Sequence, residues 1–291
     1  MDNGERLDGL VRRIASPDPQ EAETAAEELS RLSADEVAAL VGRLGSERSR
    51  ATIAALVAVG PRCVPAVLEA IDLRGLDWSH ASVLWEIHDH QVDGLFVKEL
   101  DSLDPRHREI AARAAGEMSI QGSIPQLRRL LADSDQAVAA EAARSLGLLD
   151  DAPSAERIAD VADRGDDETR AFVAGSLARL DHPSARRKLA LLIDDPSPLV
   201  REAVITGIAR RGLADMVPAI IDRASRADTL ELDSILRALT ELADRRAVPL
   251  LHSMEGRHER SDPRSATLGE LAQAALLAID TQRRNSGVSD G

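Results

Sequence analysis

Aliphatic residues recur along this chain at intervals of 31. Leu127, Ile158, Leu189, Ile220 and Leu251 form one column, and Ala115, Leu146, Leu177, Ile208 and Leu239 form a second. Ala111, Ala142, Val173, Val204 and Ile235 make a third, beside Ala112, Ala143, Ala174, Ile205 and Leu236. A fixed period of this size marks stacked copies of one supersecondary unit, each burying its apolar face against its neighbours.

Spacing within a unit gives its content. In 201–211 the apolar Val204, Ile205 and Ile208 recur at helical spacing, and a second stripe follows a turn, at Met216, Val217, Ile220 and Ile221. Pro218 is tolerated in a first helical turn, where its missing N–H costs nothing. Each unit therefore reads as a helical hairpin. Asp or Ser just ahead of the apolar pattern signals the starts: Asp104 before Pro105, Asp133–Asp135, Asp166–Asp167, and Asp195 before Pro196. Gly116, Gly147, Ala178 and Ala209 share one column, which predicts close helix approach there.

The segments 108–131 and 200–221 resemble HEAT repeats, in particular the short HEAT-like repeats named after phycobilisome lyases. In that family a V-R-x-x-A-A-x-A-L-G stretch forms the first helix and an A-V-P-x-L stretch opens the second. The resemblance is strongest over residues 104–255 and weakens toward the N-terminus, where 48–68 keeps the texture in a slipped register. It implies an all-α, right-handed α-solenoid of about eight HEAT-like hairpins. The expected organisation is an N-terminal capping helix over 1–16, divergent repeats over 17–103, regular repeats over 104–256, a C-terminal capping helix over 257–281 and a disordered tail over 282–291.

Charge and composition narrow the function classes. The 291-residue chain carries a formal net charge of -14, and of its 36 basic residues only Lys98 and Lys188 are lysine. Acid excess with scarce lysine resembles proteins of salt-loving archaea, although high-GC coding also trades lysine for arginine. The acidity argues against general nucleic-acid binding, because phosphate neutralisation supplies most non-specific affinity. With no run of about 18 apolar residues, no membrane helix is expected, and Met1–Arg13 lacks the apolar core of a signal peptide. Cys63 stands alone, excluding internal disulfides. A cytoplasmic protein is expected.

The resemblance implies that second helices line a concave face. There Arg128, Arg129, Arg157, Arg186, Arg187 and Lys188 fall on successive repeats, either as a basic stripe for an acidic peptide or protein, or as solvated positions balanced by Glu156, Asp160, Asp163 and Asp194. Trp85 stands 31 residues ahead of Gly116, in the small-residue column, with Trp78 on roughly the same helical face. In a chain with two Trp, two Phe and no Tyr, this pair is either a packing plug or an aromatic anchor for a partner. His80 maps to an apolar column and is expected buried and hydrogen-bonded. His88 and His90 diverge if helical but could converge in a turn; no metal is expected.

Enzyme readings find little support. Two-iron hydroxylases that resemble this fold carry repeated His-Glu pairs, whereas His258–Glu259 is the only such dipeptide and sits in a polar segment. No G-x-S-x-G elbow or glycine-rich phosphate loop occurs. The expectation is a non-catalytic protein-binding scaffold or adaptor without cofactor. HEAT-like proteins of salt-loving archaea include signalling adaptors, some concerned with taxis, so the resemblance extends to that role. The alternative is an enzyme or enzyme accessory factor of the phycobilin-lyase-like HEAT family.

Overall fold

The computed structural model describes residues 3–45 and 49–285. The chain is an all-α solenoid, and among the described residues no strand occurs. It divides into two compact units, residues 1–130 and 131–291. The first holds α1 (Asn3–Ile14), α2 (Pro19–Leu29), α3 (Ala34–Val41), α4 (Ser49–Val59), α5 (Val64–Arg74), α6 (Trp78–Ile87), α7 (Asp93–Glu99), α8 (Pro105–Glu117) and α9 (Ile124–Leu130). The second holds α10 (Gln136–Leu148), α11 (Ala155–Arg164), α12 (Asp167–Arg179), α13 (Pro183–Leu192), α14 (Pro198–Arg210), α15 (Val217–Ala224), α16 (Thr229–Leu242), α17 (Val248–Met254) and α18 (Leu268–Asn285). From α2 to α17 the described helices pair into eight hairpins, with α1 and α18 at the two ends.

Local chemistry explains these boundaries, and it repeats with the packing. Asp104, Asp135, Asp166 and Asp228, separated by one, one and two periods of 31, each accept a backbone N–H at a first-helix start. The fourth start departs from the sequence expectation. Ser197, not Asp195, is the N-cap of α14, and Asp195 is buried, accepting from the Ser197 N–H at 2.9 Å and from Arg170 at 2.8 and 3.0 Å. The turns that close these helices also recur. His88, Ser119, Asp150, Gly212 and Ala243 all adopt positive φ on one 31-residue grid.

Small residues set the spacing of first helices in the second unit. A Cβ added at Gly147 would lie 3.1 Å from the Ser176 Cα and carbonyl oxygen, and one at Gly207 would lie 3.0 Å from the Ala178 Cβ. The column anticipated from sequence therefore packs against another, Ser176 and Gly207, also one period apart. Between these rows Val138, Leu146, Val173, Leu177, Val204 and Ile208 are fully buried.

Two expectations are corrected. Residues 50–74 do hold an 18-residue window apolar enough to cross a membrane, with mean hydropathy 1.8. The stretch is folded as a hairpin, because Gly60 (φ +75°) and a 3-10 turn at Gly60–Cys63 part α4 from α5. Each helix has 11 residues, about 16 Å of rise against roughly 30 Å of hydrocarbon. At the other end, 257–267 is irregular and the terminal helix starts at Leu268 and runs to Asn285. A Cβ at Gly269 would meet the Glu255 carbonyl oxygen at 2.4 Å, so glycine lets α18 seat against that loop. The tail anticipated over 282–291 is helical to Asn285, and 286–291 lie outside the described residues.

Candidate partner-binding surfaces

The tryptophan pair lies in the first unit. The α6 helix is about one turn shorter than α8, but the two align at their C-terminal turns, where His88 and Ser119 share positive φ. Trp85 thus occupies the place of Gly116. Its ring lies edge-on to Trp78, with centroids 6.1 Å apart and planes at 72°. The Arg113 guanidinium of α8 sits 5.4 Å from the Trp78 ring and 5.9 Å from that of Trp85, within cation–π range. Both indoles are half-buried, so the pair is at once packed against α8 and open on one side.

His80 is buried, as its column predicts, but it lacks the expected hydrogen bond. Its Nδ1 lies 2.9 Å from Asp77 Oδ1 without hydrogen-bond alignment. That oxygen caps α6, accepting from the backbone N–H groups of Ser79 and His80. His90 faces Asp93 at 3.1 Å and His107 faces Glu99 at 3.0 Å. Among the described residues no three or more His, Cys, Asp or Glu side chains converge as a metal site would need. Cys63 is buried, and burial pushes its thiol up to about 11, away from a reactive thiolate.

The basic second-helix residues fall into two groups. Arg128 and Arg129 lie on α9 of the first unit, where Arg129 pairs with Asp101 at 2.7 Å. Arg157 lies on α11 of the second unit, and Arg187 and Lys188 on α13. Lys188 is buried against Asp163. Arg186 pairs with Asp215 at 3.2 Å and Asp181 at 3.5 Å. Arg187 donates to Ser184 at 2.8 Å, and exposed Arg157 shares a shallow hollow with Asp160, Asp163 and Arg164. Acids on the same or neighbouring hairpins thus neutralise much of this charge.

A different face is less compensated. In the second unit an open groove of about 520 Å³ runs over the first helices α10, α12 and α14. Arg144, Arg179, Arg210 and Arg211 line it, with Glu202 the one carboxylate among its lining residues. Phe172 is 40% exposed and Leu199 47% exposed along it, and Leu148 is half-buried. Sequence reasoning passed over this face because its positions vary from repeat to repeat. The available signal was the run of outward arginines, Arg179, Arg210 and Arg211, on first helices.

HEAT repeats match residues 95–169 and 155–235. No curated protein sequence matches the chain. Among solved structures, YibA of E. coli is 14% identical, covering 91% of this chain and 98% of its own, with a TM-score of 0.58. An engineered protein is 19% identical over 96% of this chain and 89% of its own, with a TM-score of 0.51. The karyopherin Kap121p, bound to the extreme C-terminus of the protein phosphatase Cdc14p, is 14% identical over 94% of this chain and 36% of its own, with a TM-score of 0.53.

Proposed function

We propose, on the premise that residues 95–235 carry HEAT repeats within an all-α solenoid, that this protein is a non-catalytic scaffold that binds another protein. The observation that carries the reading is the groove over α10, α12 and α14, where apolar side chains stand exposed between arginines. Exposed apolar surface rimmed by charge is typical of protein contact surfaces. A solenoid suits this work because stacking neighbours buries the core while leaving a long face free for contacts spread over several repeats. Kap121p, of similar fold, holds a protein C-terminus, which is consistent with the reading for this chain.

The finer form of the proposal is an intracellular signalling adaptor, such as one serving archaeal taxis. It is supported by the HEAT-like repeats and by the acid-rich, lysine-poor composition. The basic second-helix residues Arg128, Arg129, Arg157, Arg187 and Lys188, and the Trp78–Trp85 pair, remain candidate contacts within it. Affinity capture from a lysate of the source cells at their own salt, with mass spectrometry, tests the scaffold role. A stoichiometric protein partner is expected. Recovery of the protein alone, or with a bound chromophore or metal, would overturn the role.

A further inference from the structure

We infer that the groove over α10, α12 and α14 binds an acidic peptide segment that seats one apolar side chain over Gly175; this rests on the scaffold reading and specifies the chemistry of its partner. Three observations carry it. The first is charge. Arg179, Arg210 and Arg211 are exposed, and no described acid pairs with them. In a chain with a net charge of -14, where many other arginines, Arg144 of this groove included, are held by nearby carboxylates, three exposed arginines against the single lining carboxylate Glu202 are a local reversal of sign. Such a reversal favours a negatively charged partner.

The second observation is Gly175, which lies in the interior of α12 and lines the groove. A Cβ placed there would have nothing within 4 Å. Packing therefore does not require this glycine, unlike Gly147 and Gly207, whose Cβ positions meet the neighbouring helix. A helix-interior glycine costs about 1 kcal/mol relative to alanine, and its absent side chain leaves backbone open for close approach by a ligand. The third observation is the apolar lining on either side. Phe172 precedes Gly175 by one turn on α12, and Leu199 faces the groove from α14. Apolar walls, a bare floor and a cationic rim together fit an acidic segment carrying a leucine-like side chain.

The experiment uses the full chain at the lowest salt at which circular dichroism shows the fold intact. Fluorescence anisotropy reads the binding of three labelled peptides: one leucine among Asp and Glu, the same peptide with alanine for leucine, and a lysine counterpart. The acidic leucine peptide should bind, the alanine version more weakly and the lysine version not measurably, with affinity falling as salt screens the contacts. An Arg179→Glu/Arg210→Glu variant should weaken the leucine peptide at least about tenfold, a change of roughly 1.4 kcal/mol. Gly175→Leu should weaken the leucine peptide while thermal melting shows the fold retained. The inference is overturned if the acidic leucine peptide fails to bind, if the lysine peptide binds equally, or if both variants bind as the wild type does. Lysate capture separates the two claims. A partner retained by both variants removes the groove and leaves the scaffold, whereas no partner for the wild type removes the scaffold itself.

Discussion

Arg201 and Glu231 form a buried two-point ion pair between successive first helices, Nε to Oε1 at 3.0 Å and Nη2 to Oε2 at 3.1 Å. Arg223 of the intervening second helix grips the same carboxylate at 2.6 and 2.9 Å. Arg201 also donates to the Asp195 carbonyl at 2.8 Å, so one guanidinium ties α16 to the loop before α14. Removing the carboxylate would leave the buried Arg201 guanidinium without its paired carboxylate, while Arg223 keeps Asp194 at 3.4 Å. Glu231→Ala is expected to destabilise the fold by about 3 kcal/mol, against less than about 1 kcal/mol for Asp101→Ala at the exposed Arg129 pair. Chemical denaturation of the two variants checks this, and equal effects would refute it.

Stability should fall in acid. Burial alone would raise the Glu231 carboxyl, but hydrogen bonds from Arg223 and Arg201, and their charge, hold it below its ordinary 4.5. Burial likewise opposes, without overcoming, the hydrogen bonds from Arg170 and the Ser197 N–H that hold Asp195 below its ordinary 3.8. At Asp166 the Thr169 N–H lowers the carboxyl. A carboxyl whose folded value lies below its unfolded one stabilises the fold above the unfolded value, and that contribution is lost as pH falls through the folded value. The melting temperature should therefore hold from neutral pH to about 5 and drop below roughly 4.5. A Glu231→Gln variant should show a shallower drop, and an unchanged slope would count against the assignment.

Two glycines on first helices should respond in opposite directions. Gly147→Val drives methyl groups into the Ser176 backbone, which cannot move aside as a side chain would, and should cost about 1–3 kcal/mol. Gly175→Ala meets nothing and should stabilise by about 0.5–1 kcal/mol through helix propensity and a less mobile unfolded chain. Thermal melts of both variants settle the signs.

Cys63 should be silent in the native state. Its Sγ is buried, 3.6 Å from the Leu56 carbonyl oxygen, and burial raises the thiol to about 11. Ellman's reagent at mildly alkaline pH should react only on unfolding, so the rate should rise with denaturant. Prompt reaction in buffer alone would show that α4 and the turn after it open readily.

Much of the fold is legible in the period. The columns through Leu146 and Ile158 mark the buried faces of the two helices in a hairpin, because a stacked unit must present the same apolar stripe at each interface. The N-caps and the positive-φ turns follow the same 31-residue step for the same reason: each hairpin must enter and leave its helices at equal heights. The register slips at α6, where the cap Asp77 stands 27 residues before Asp104 and a turn of helix is missing. Periodicity cannot place that deletion, since a helix shortened at either end leaves a similar apolar stripe. Asp195 was misassigned as a cap. Both it and Ser197 suit a cap chemically, but the 31-residue step from Asp166 falls on Ser197, and the position of Arg170 across the loop gives Asp195 its separate role.

The sequence by itself determined the architecture, because the interfaces between hairpins are copies of one another and copies are visible as columns. It determined little of the surface. Which basic side chains are held by neighbouring carboxylates, as Lys188 is by Asp163 and Arg170 by Asp195, depends on groups about 25 residues apart meeting across hairpins. Which glycine is needed for packing and which lies open depends on the distance from α12 to α14. Pairing and clearance are properties of three-dimensional distance. The groove over the first helices, a further candidate partner surface beside the second-helix residues, is visible only in the tertiary structure.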